Sequence, residues 1–509
     1  MAEDSQQAIF DFLSDPGRHF GLPVKRIDTH AASVFLAGER ALKVKRAVRF
    51  PFLDFSTLEK RRKACEAEIA ANRAYAPAIY RAVVPITRES NGQLAVDGHG
   101  TPVEWAVEMR RFDESKTLDR LAEAGQIDEA LADALGSVVA GAHKLAPAVT
   151  NAHFHESLTR ITEQNETELS AEPDLISLPD LRAFAAATRD TLERLKPLLQ
   201  ARERAGLVRH CHGDLHLGNI VLIAGKPVLF DAIEFDERIA TGDVFYDLAF
   251  LLMDLIEREL GGPANIVLNR YLIETGRIHD LDALAALPLF MPIRAAIRAK
   301  VTAARRHQDG QSAELADKAR GYIALAQKLL SPAQPRLVAI GGLSGTGKSL
   351  LARTVAPDLQ PPPGAVIFRS DIERKRLLGT RETERLPPSA YAADITAKVY
   401  AAITEKARRT IKAGYSVIAD AVFAQPSERT DIAKAADVAH FAGLFLTTDL
   451  KTRIARVGAR TGDASDADAD VAHMQEQLDT GLIKWSKVDA GGTPEETLIR
   501  ARAMLGFGS

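Results

Sequence analysis

Gly342-Leu343-Ser344-Gly345-Thr346-Gly347-Lys348-Ser349 decides how the C-terminal part of this 509-residue chain folds. The stretch satisfies G-x-x-x-x-G-K-[ST] at every defined position. It follows an apolar run with strand composition (337–340) and opens a stretch with helical composition (350–356), which is the context the motif requires. Its glycines let successive backbone N–H groups turn inward around phosphate oxygens. The helix that follows presents the positive end of its dipole to the same anion. In such a loop the main chain from Gly342, Leu343, Ser344, Gly345, Thr346 and Gly347 surrounds the phosphates. Lys348 reaches the β- and γ-phosphates, and the Ser349 hydroxyl ligates Mg²⁺. The loop therefore reads as a nucleoside triphosphate site that uses ATP and Mg²⁺.

Strand-like stretches at 336–340, 365–368, 416–419 and 440–446 alternate with helical ones around this loop. That pattern predicts an α/β domain with a parallel sheet. Asp371 follows the second strand, at the end that faces the ligand crevice in such sheets. There it can orient or deprotonate an acceptor hydroxyl, or cap the next helix. Arg374, one turn on, can hold an anionic group. Asp420 ends the strand 416–419, where a carboxylate can hold Mg²⁺ or its water. Arg453, Arg456 and Arg460 recur at near-helical spacing before an Asp-, Ala- and Gly-rich stretch, 459–470, which reads as a mobile surface loop. Together they suit a lid over ATP.

Residues 335–509 resemble the small P-loop kinases of the gluconate-kinase and zeta-toxin type. The resemblance rests on the loop itself, on Arg369-Ser370-Asp371-Ile372-Glu373-Arg374 and on Arg456-Val457-Gly458-Ala459-Arg460. It implies that Asp371 acts on the acceptor hydroxyl and that Arg456 and Arg460 close over ATP.

A second chemical signal lies upstream, in His212-Gly213-Asp214-Leu215-His216-Leu217-Gly218-Asn219. Asp and Asn five residues apart have the separation of a kinase catalytic loop. Asp214 can accept the proton of an attacking hydroxyl, and Asn219 can bind a Mg²⁺ carried by the phosphates. A short strand at 227–230 delivers Asp231 to the same metal, with Glu234 and Asp236 as rivals. Asp247 reads as a structural acid supporting the catalytic loop, since a buried carboxylate needs partners. His212 and His216 read as packing and hydrogen-bonding groups rather than ligands.

Residues 25–330 resemble the aminoglycoside-phosphotransferase branch of the protein-kinase-like fold. The resemblance implies a small-lobe lysine paired with a helix glutamate. Lys43 suits the first, with Lys45 as the alternative, and Glu68 suits the second, with Glu66 close behind. It also implies a hinge at 104–112 whose backbone meets adenine. No G-x-G-x-x-G precedes Lys43, which counts against a protein kinase. The two portions in series resemble bacterial fused aminoglycoside phosphotransferase/ATP-binding proteins. Phe52-Leu53-Asp54-Phe55-Ser56-Thr57-Leu58-Glu59 and Phe230-Asp231-Ala232-Ile233-Glu234-Phe235-Asp236 carry that likeness.

The expected architecture is thus α+β followed by α/β. A kinase-like domain spans 1–330, with a strand-rich small lobe to about 112 and a helical lobe beyond it. A P-loop domain spans 331–509, after the break Ser331-Pro332-Ala333-Gln334-Pro335, where two prolines stop a helix. A net charge of −3 gives no basis for a nucleic-acid or membrane partner. Two distant cysteines and the absence of a basic leader fit a reducing cytoplasm. The acidic stretch 163–174 can attract a cationic substrate or lie solvated on the surface. The expected activity is ATP-dependent transfer of phosphate to hydroxyls of small molecules of the aminoglycoside, sugar or sugar-acid class. The alternative is a nucleotide-dependent switch with a non-catalytic N-terminal ligand-binding module.

Overall fold

The computed structural model describes residues 2–507 apart from 20, 30, 51–52, 309 and 460–462. The chain divides into two compact units, Met1–Ile161 with Leu199–Asp254, and Thr162–Leu198 with Leu255–Ser509. Among the described residues no helix is long and apolar enough to cross a membrane.

The first unit is built on a six-stranded sheet. Its spatial order is Val24–Asp28, Ala32–Ala37, Arg40–Lys45, Thr101–Arg110, Tyr80–Arg88, Leu94–Val96. Every neighbour is antiparallel. Side chains alternate across a strand, and Arg40–Lys45 uses both faces. Leu42 and Val44 pack with Ile9, Phe10 and Leu13 of the helix Ala2–Ser14, while Lys43 and Lys45 bond Glu68 of the helix Leu58–Arg73. That helix starts where the Thr57 hydroxyl accepts the Lys60 N–H. It buries Arg61, Cys65, Glu68, Ile69 and Asn72, a helical stripe that is mostly polar. Leu58, and Tyr75 just beyond the helix, are only half-buried. The hairpin Ile220–Ile223 with Lys226–Leu229 follows the catalytic-loop motif.

The second unit contains a five-stranded parallel sheet. Its order is Val366–Arg369, Val417–Asp420, Arg336–Gly341, His440–Thr447, Ser486–Asp489. Four of these strands match the stretches read from sequence; the last, with only Val488 buried, gave no apolar run. Val338, Ile340, Ile418 and Leu444 pack against Leu351, Ala352 and Val355 of the helix Lys348–Val355.

The compact units differ from the sequence division at 331–335, because residues 162–198 and 255–330 group with the parallel sheet. Named bonds account for this. Val366–Arg369 is an edge strand, and its open backbone is met by the helix Gly261–Thr275. Asn269 accepts the Ile367 N–H (2.8 Å) and donates to the Ala365 carbonyl (3.1 Å), which Asn265 also meets (3.0 Å). Arg270 pairs with Glu382, and Arg409 forms a two-point pair with Asp282. The acidic stretch 163–174 lies largely exposed to solvent, as one of the two readings held, but several of its acids are paired. Glu166 pairs with Arg189, Glu168 with Lys300, and Glu172 and Asp174 with Arg306. Covering a sheet edge removes a site of chain-to-chain pairing. Replacing Asn269 by Ala leaves the Ile367 N–H without its acceptor and is expected to destabilise this unit by about 1–3 kcal/mol. Thermal unfolding of the full chain should show a lowered transition; an unchanged one would mean water serves that edge equally well.

Candidate active sites

In the first unit the chemistry centres on Glu68, whose side chain has no exposure. Lys43 Nζ donates to Glu68 Oε1 at 2.8 Å, and Lys45 Nζ lies 2.6 Å from Oε2. Both lysines proposed from sequence therefore meet the same carboxylate, while Glu66 pairs with Arg62 on the exposed face. Lys43 also bonds Asp231 Oδ1 (2.7 Å), and Lys45 bonds Glu234. Burial favours neutral Lys43, but the carboxylates of Asp231 and Glu68 outweigh it and raise its pKa. Burial likewise works against ionised Glu68, yet the two ammonium groups hold it well below the ordinary glutamate value. Glu234 is pushed up by burial.

The three rival acids after the strand Lys226–Leu229 are thereby sorted. Glu234 is buried on Lys45. Asp236 caps the helix Glu237–Ala240 and pairs with Arg238. Asp231 is left in the site with Lys43. It sits at φ +60°, a strained conformation for a non-glycine residue. Its N–H donates to the Tyr80 hydroxyl (3.1 Å), and the next N–H, of Ala232, donates to Asn72 (2.8 Å).

The catalytic-loop motif is held from behind. Asp247 accepts the N–H of Gly213 (2.9 Å) and of His212 (3.3 Å) and lies 3.1 Å from His143 Nε2. Asp254 accepts the Leu217 N–H at 2.9 Å. Asn219 Nδ2 donates to the Asp214 carbonyl (3.0 Å) and to its Oδ2 (2.9 Å), so the motif's two polar residues are in direct contact. His212 is buried and donates from Nε2 to the Phe230 carbonyl (2.9 Å); burial lowers its pKa, which keeps it neutral. This is the packing role expected of it.

The hinge expectation requires correction. Residues 104–109 lie within the central strand Thr101–Arg110, paired on one side with Arg40–Lys45 and on the other with Tyr80–Arg88. Their backbone groups face neighbouring strands and are not available to adenine. The connection that follows this strand borders a cavity of about 1200 Å³ instead, lined by Ile27, Gly38, Phe112, Glu114 and Arg120 among others.

In the second unit the loop 342–349 takes the expected form. Gly342 and Gly345 have φ +136° and +88°. A Cβ at either would lie 2.6 Å from a carbonyl oxygen, of Leu446 and Arg453 respectively, so no side chain fits there. Lys348 Nζ donates to the Leu343 carbonyl (3.1 Å). Ser349 Oγ donates to Asp420 Oδ2 at 2.6 Å, joining the two residues proposed as metal ligands. Ser344 N–H donates to Gln475 Oε1 (2.7 Å), a partner 131 positions away that sequence reading did not find. Asp371 begins the helix Ser370–Leu377 and lines, with Lys348, Ser349 and Asp420, a cavity of about 1490 Å³. Burial raises its carboxyl pKa, opposed by the Arg369 guanidinium.

The arginines depart from expectation. Arg374 is buried, stacked 4.7 Å over the Tyr391 ring and bonded to the Ala390 carbonyl (2.8 Å), rather than presented to an anion. Arg453 is buried on the Ala472 carbonyl and Glu476, so the cationic series does not form one lid face. Arg456 donates to the carbonyls of Ala490 (2.8 Å) and Gly492 (2.9 Å). Arg460 lies outside the described residues. The Asp-rich stretch is not a mobile surface loop where it is described. Asp463 bonds Arg369, Asp466 bonds Lys375 and the Tyr391 hydroxyl, and Asp468 caps the helix Ala469–Gln475.

Comparison with known proteins agrees with this geometry. The phosphotransferase enzyme family model matches residues 34–287, and an AAA domain model matches 337–480. A protein-kinase-like domain and a P-loop kinase domain in one chain define a small-molecule kinase. Over 491 residues the chain is 30% identical to the uncharacterized protein Rv2004c of Mycobacterium tuberculosis, covering 93% of this chain and 94% of the relative. The uncharacterized protein Mb2027c of Mycobacterium bovis matches with the same identity and coverage. The chain belongs to the same family as these mycobacterial proteins. Among solved structures it is similar to a gluconokinase from Sinorhizobium meliloti 1021, at 22% identity over 34% of this chain and 92% of that one, with a TM-score of 0.26. A choline/ethanolamine kinase family protein from Mesorhizobium loti matches at 14% identity over 64% of this chain and 95% of that one, with a TM-score of 0.39.

Removing Glu68 tests the arrangement around the paired lysines. Glu68→Ala strands two buried ammonium groups beside each other and is expected to cost about 3–5 kcal/mol, the range for breaking a buried ion pair. Denaturant titration reads this directly. Glu66→Ala, on the exposed face, should leave stability within about 0.5 kcal/mol.

Proposed function

We propose that this chain is a bifunctional ATP-dependent phosphotransferase, with each unit passing the γ-phosphate of ATP to a hydroxyl of a small molecule. One observation carries the reading: each unit brings a carboxylate suited to act as base into a site that also holds a lysine and a second polar ligand. In the first these are Asp214, Lys43 and Asp231 with Asn219. In the second they are Asp371, Lys348 and Asp420 with Ser349.

In both units the acceptor oxygen attacks the γ-phosphorus as the bond to the β–γ bridging oxygen breaks, and ADP leaves. Asp214 or Asp371 receives the hydroxyl proton. Lys43, held by Glu68, and Lys348, on the glycine loop, bind phosphate oxygens. Asn219 gives its amide N–H to Asp214 and keeps its amide oxygen for a metal, beside Asp231. Ser349 and Asp420 offer a hydroxyl and a carboxylate 2.6 Å apart. These all-oxygen donor sets suit Mg²⁺, which when bound supplies neutralisation of phosphate charge. Arg456 would border the nucleotide at the second site. Asp247 and Asp254 act through the backbone they hold and position the catalytic loop.

With the full chain and a screen of aminoglycosides, sugars and sugar acids, Asp214→Ala and Lys348→Ala are expected to remove different acceptor-dependent activities. Each loss should be roughly 10²-fold or more. If neither substitution changes any ATP-dependent mass gain, the proposal fails.

The raised pKa of Asp371 gives a pH signature. A base works only when ionised, so the Lys348-dependent activity should fall as pH drops through a value above about 4, the ordinary aspartate pKa. A pH–rate profile checks this. A limb at or below that value would remove Asp371 from the role of base.

A further inference from the structure

The cavity beyond Lys348 shows what kind of acceptor it can hold. This inference rests on the proposed kinase activity of the P-loop unit and specifies its substrate class. Acidic side chains lining the cavity outnumber basic ones, eight to five. Apart from Lys348, which the proposed reaction assigns to the ATP phosphates, the basic groups are engaged with other residues. Arg374 is bonded to the Ala390 carbonyl and to Thr396 and stacked on Tyr391. Its Nε has no partner but no exposed surface either. Arg385 is paired with Asp468, Arg408 with Glu405 and Lys434 with Asp431. Arg369 and Lys375, close behind the wall, are held by Asp463 and Asp466. On the acidic side, Glu428 and Asp470 line the same space without an ion pair among the described residues, Glu428 being met by the Gln425 N–H and the Tyr400 hydroxyl, both neutral donors. A third acid, Asp371, must accept a proton there for transfer to proceed.

We infer that the acceptor at the P-loop site is a polyol bearing no negative charge, either uncharged or carrying an amine. An acceptor carboxylate or phosphate would enter beside the ATP phosphates, face Glu428 and Asp470, and find no cation free to meet it. Like charges brought together in a recess are costly, and that cost sets specificity. A hydroxylated amine would meet the unpaired acids favourably. Thr404, on the helix Ala393–Lys412, supplies a hydroxyl along the same wall for a neutral ring.

Glucosamine, glucose and gluconate are six-carbon polyols with charges of +1, 0 and −1; glucuronate, an anionic pyranose expected to bind as weakly as gluconate, controls for the open chain of gluconate. Their binding to the full chain loaded with Mg·ADP would be measured calorimetrically at low ionic strength. Glucosamine or glucose should bind at least about tenfold more tightly than gluconate. Gluconate binding as tightly as both, or more tightly, overturns the inference. Ala397→Arg places a new cation on the exposed lining of the cavity, on a helix that accepts Arg readily. It should shrink the discrimination against gluconate several-fold; discrimination unmoved by it would lie elsewhere and would also overturn the assignment. Because these readouts are binding, they stand apart from the test of function. Loss or retention of ATP turnover in Lys348→Ala decides whether the P-loop unit is a kinase at all.

Discussion

A carboxylate withdrawn from water costs several kcal/mol unless donors meet its oxygens, and Glu68 is the case around which the first unit is organised. Its two oxygens are taken by Lys43 and Lys45, which reach the same face of one strand because side chains alternate along it. Each lysine then extends to a second acid, Asp231 or Glu234, on the segment after the hairpin. The sheet, the helix Leu58–Arg73 and the segment carrying Asp231 and Glu234 are thus tied through one buried charge. A further buried carboxylate, Asp247, does the same for the catalytic loop by accepting two successive backbone N–H groups.

The second unit meets the same constraint differently. Its anchor is a loop of main-chain donors, where glycines are demanded by close carbonyls of Leu446 and Arg453. The surrounding charges are cross-neutralised: Arg369 by Asp420 and Asp463, Lys375 by Asp466, Arg453 by Glu476. The cavity walls are therefore rich in charged residues yet poor in free cations, a state that residue counts alone do not reveal.

Much of this was legible in the sequence wherever chemistry is local. The strands 336–340, 365–368 and 416–419 carry apolar runs, and the structure places strands on them. The fifth strand, Ser486–Asp489, was not legible, because an edge strand with one buried residue leaves no hydrophobic signal. The helix Leu58–Arg73 buries Arg61, Glu68 and Asn72, polar groups whose partners lie far away in sequence and leave no local signal. Arg453 looked like one of three lid cations and is instead among the most deeply buried side chains. Spacing cannot distinguish a solvated arginine from one that ends on a distant carbonyl and glutamate.

By itself, then, the sequence determined the two phosphate-handling motifs and their order. The eight-residue loop and the Asp–Asn pair five apart each place their groups through a short run of backbone, so identity and spacing suffice. Tertiary structure alone decided that both small-lobe lysines share Glu68, that Asp231 rather than Glu234 or Asp236 stays in the site, and that the Asp-rich segment is pinned. It also decided that helices from 255–330 cover the edge of the parallel sheet. Each of these outcomes depends on which remote donor reaches a given acceptor once water is excluded, and burial is a property of the packed chain rather than of any stretch of it.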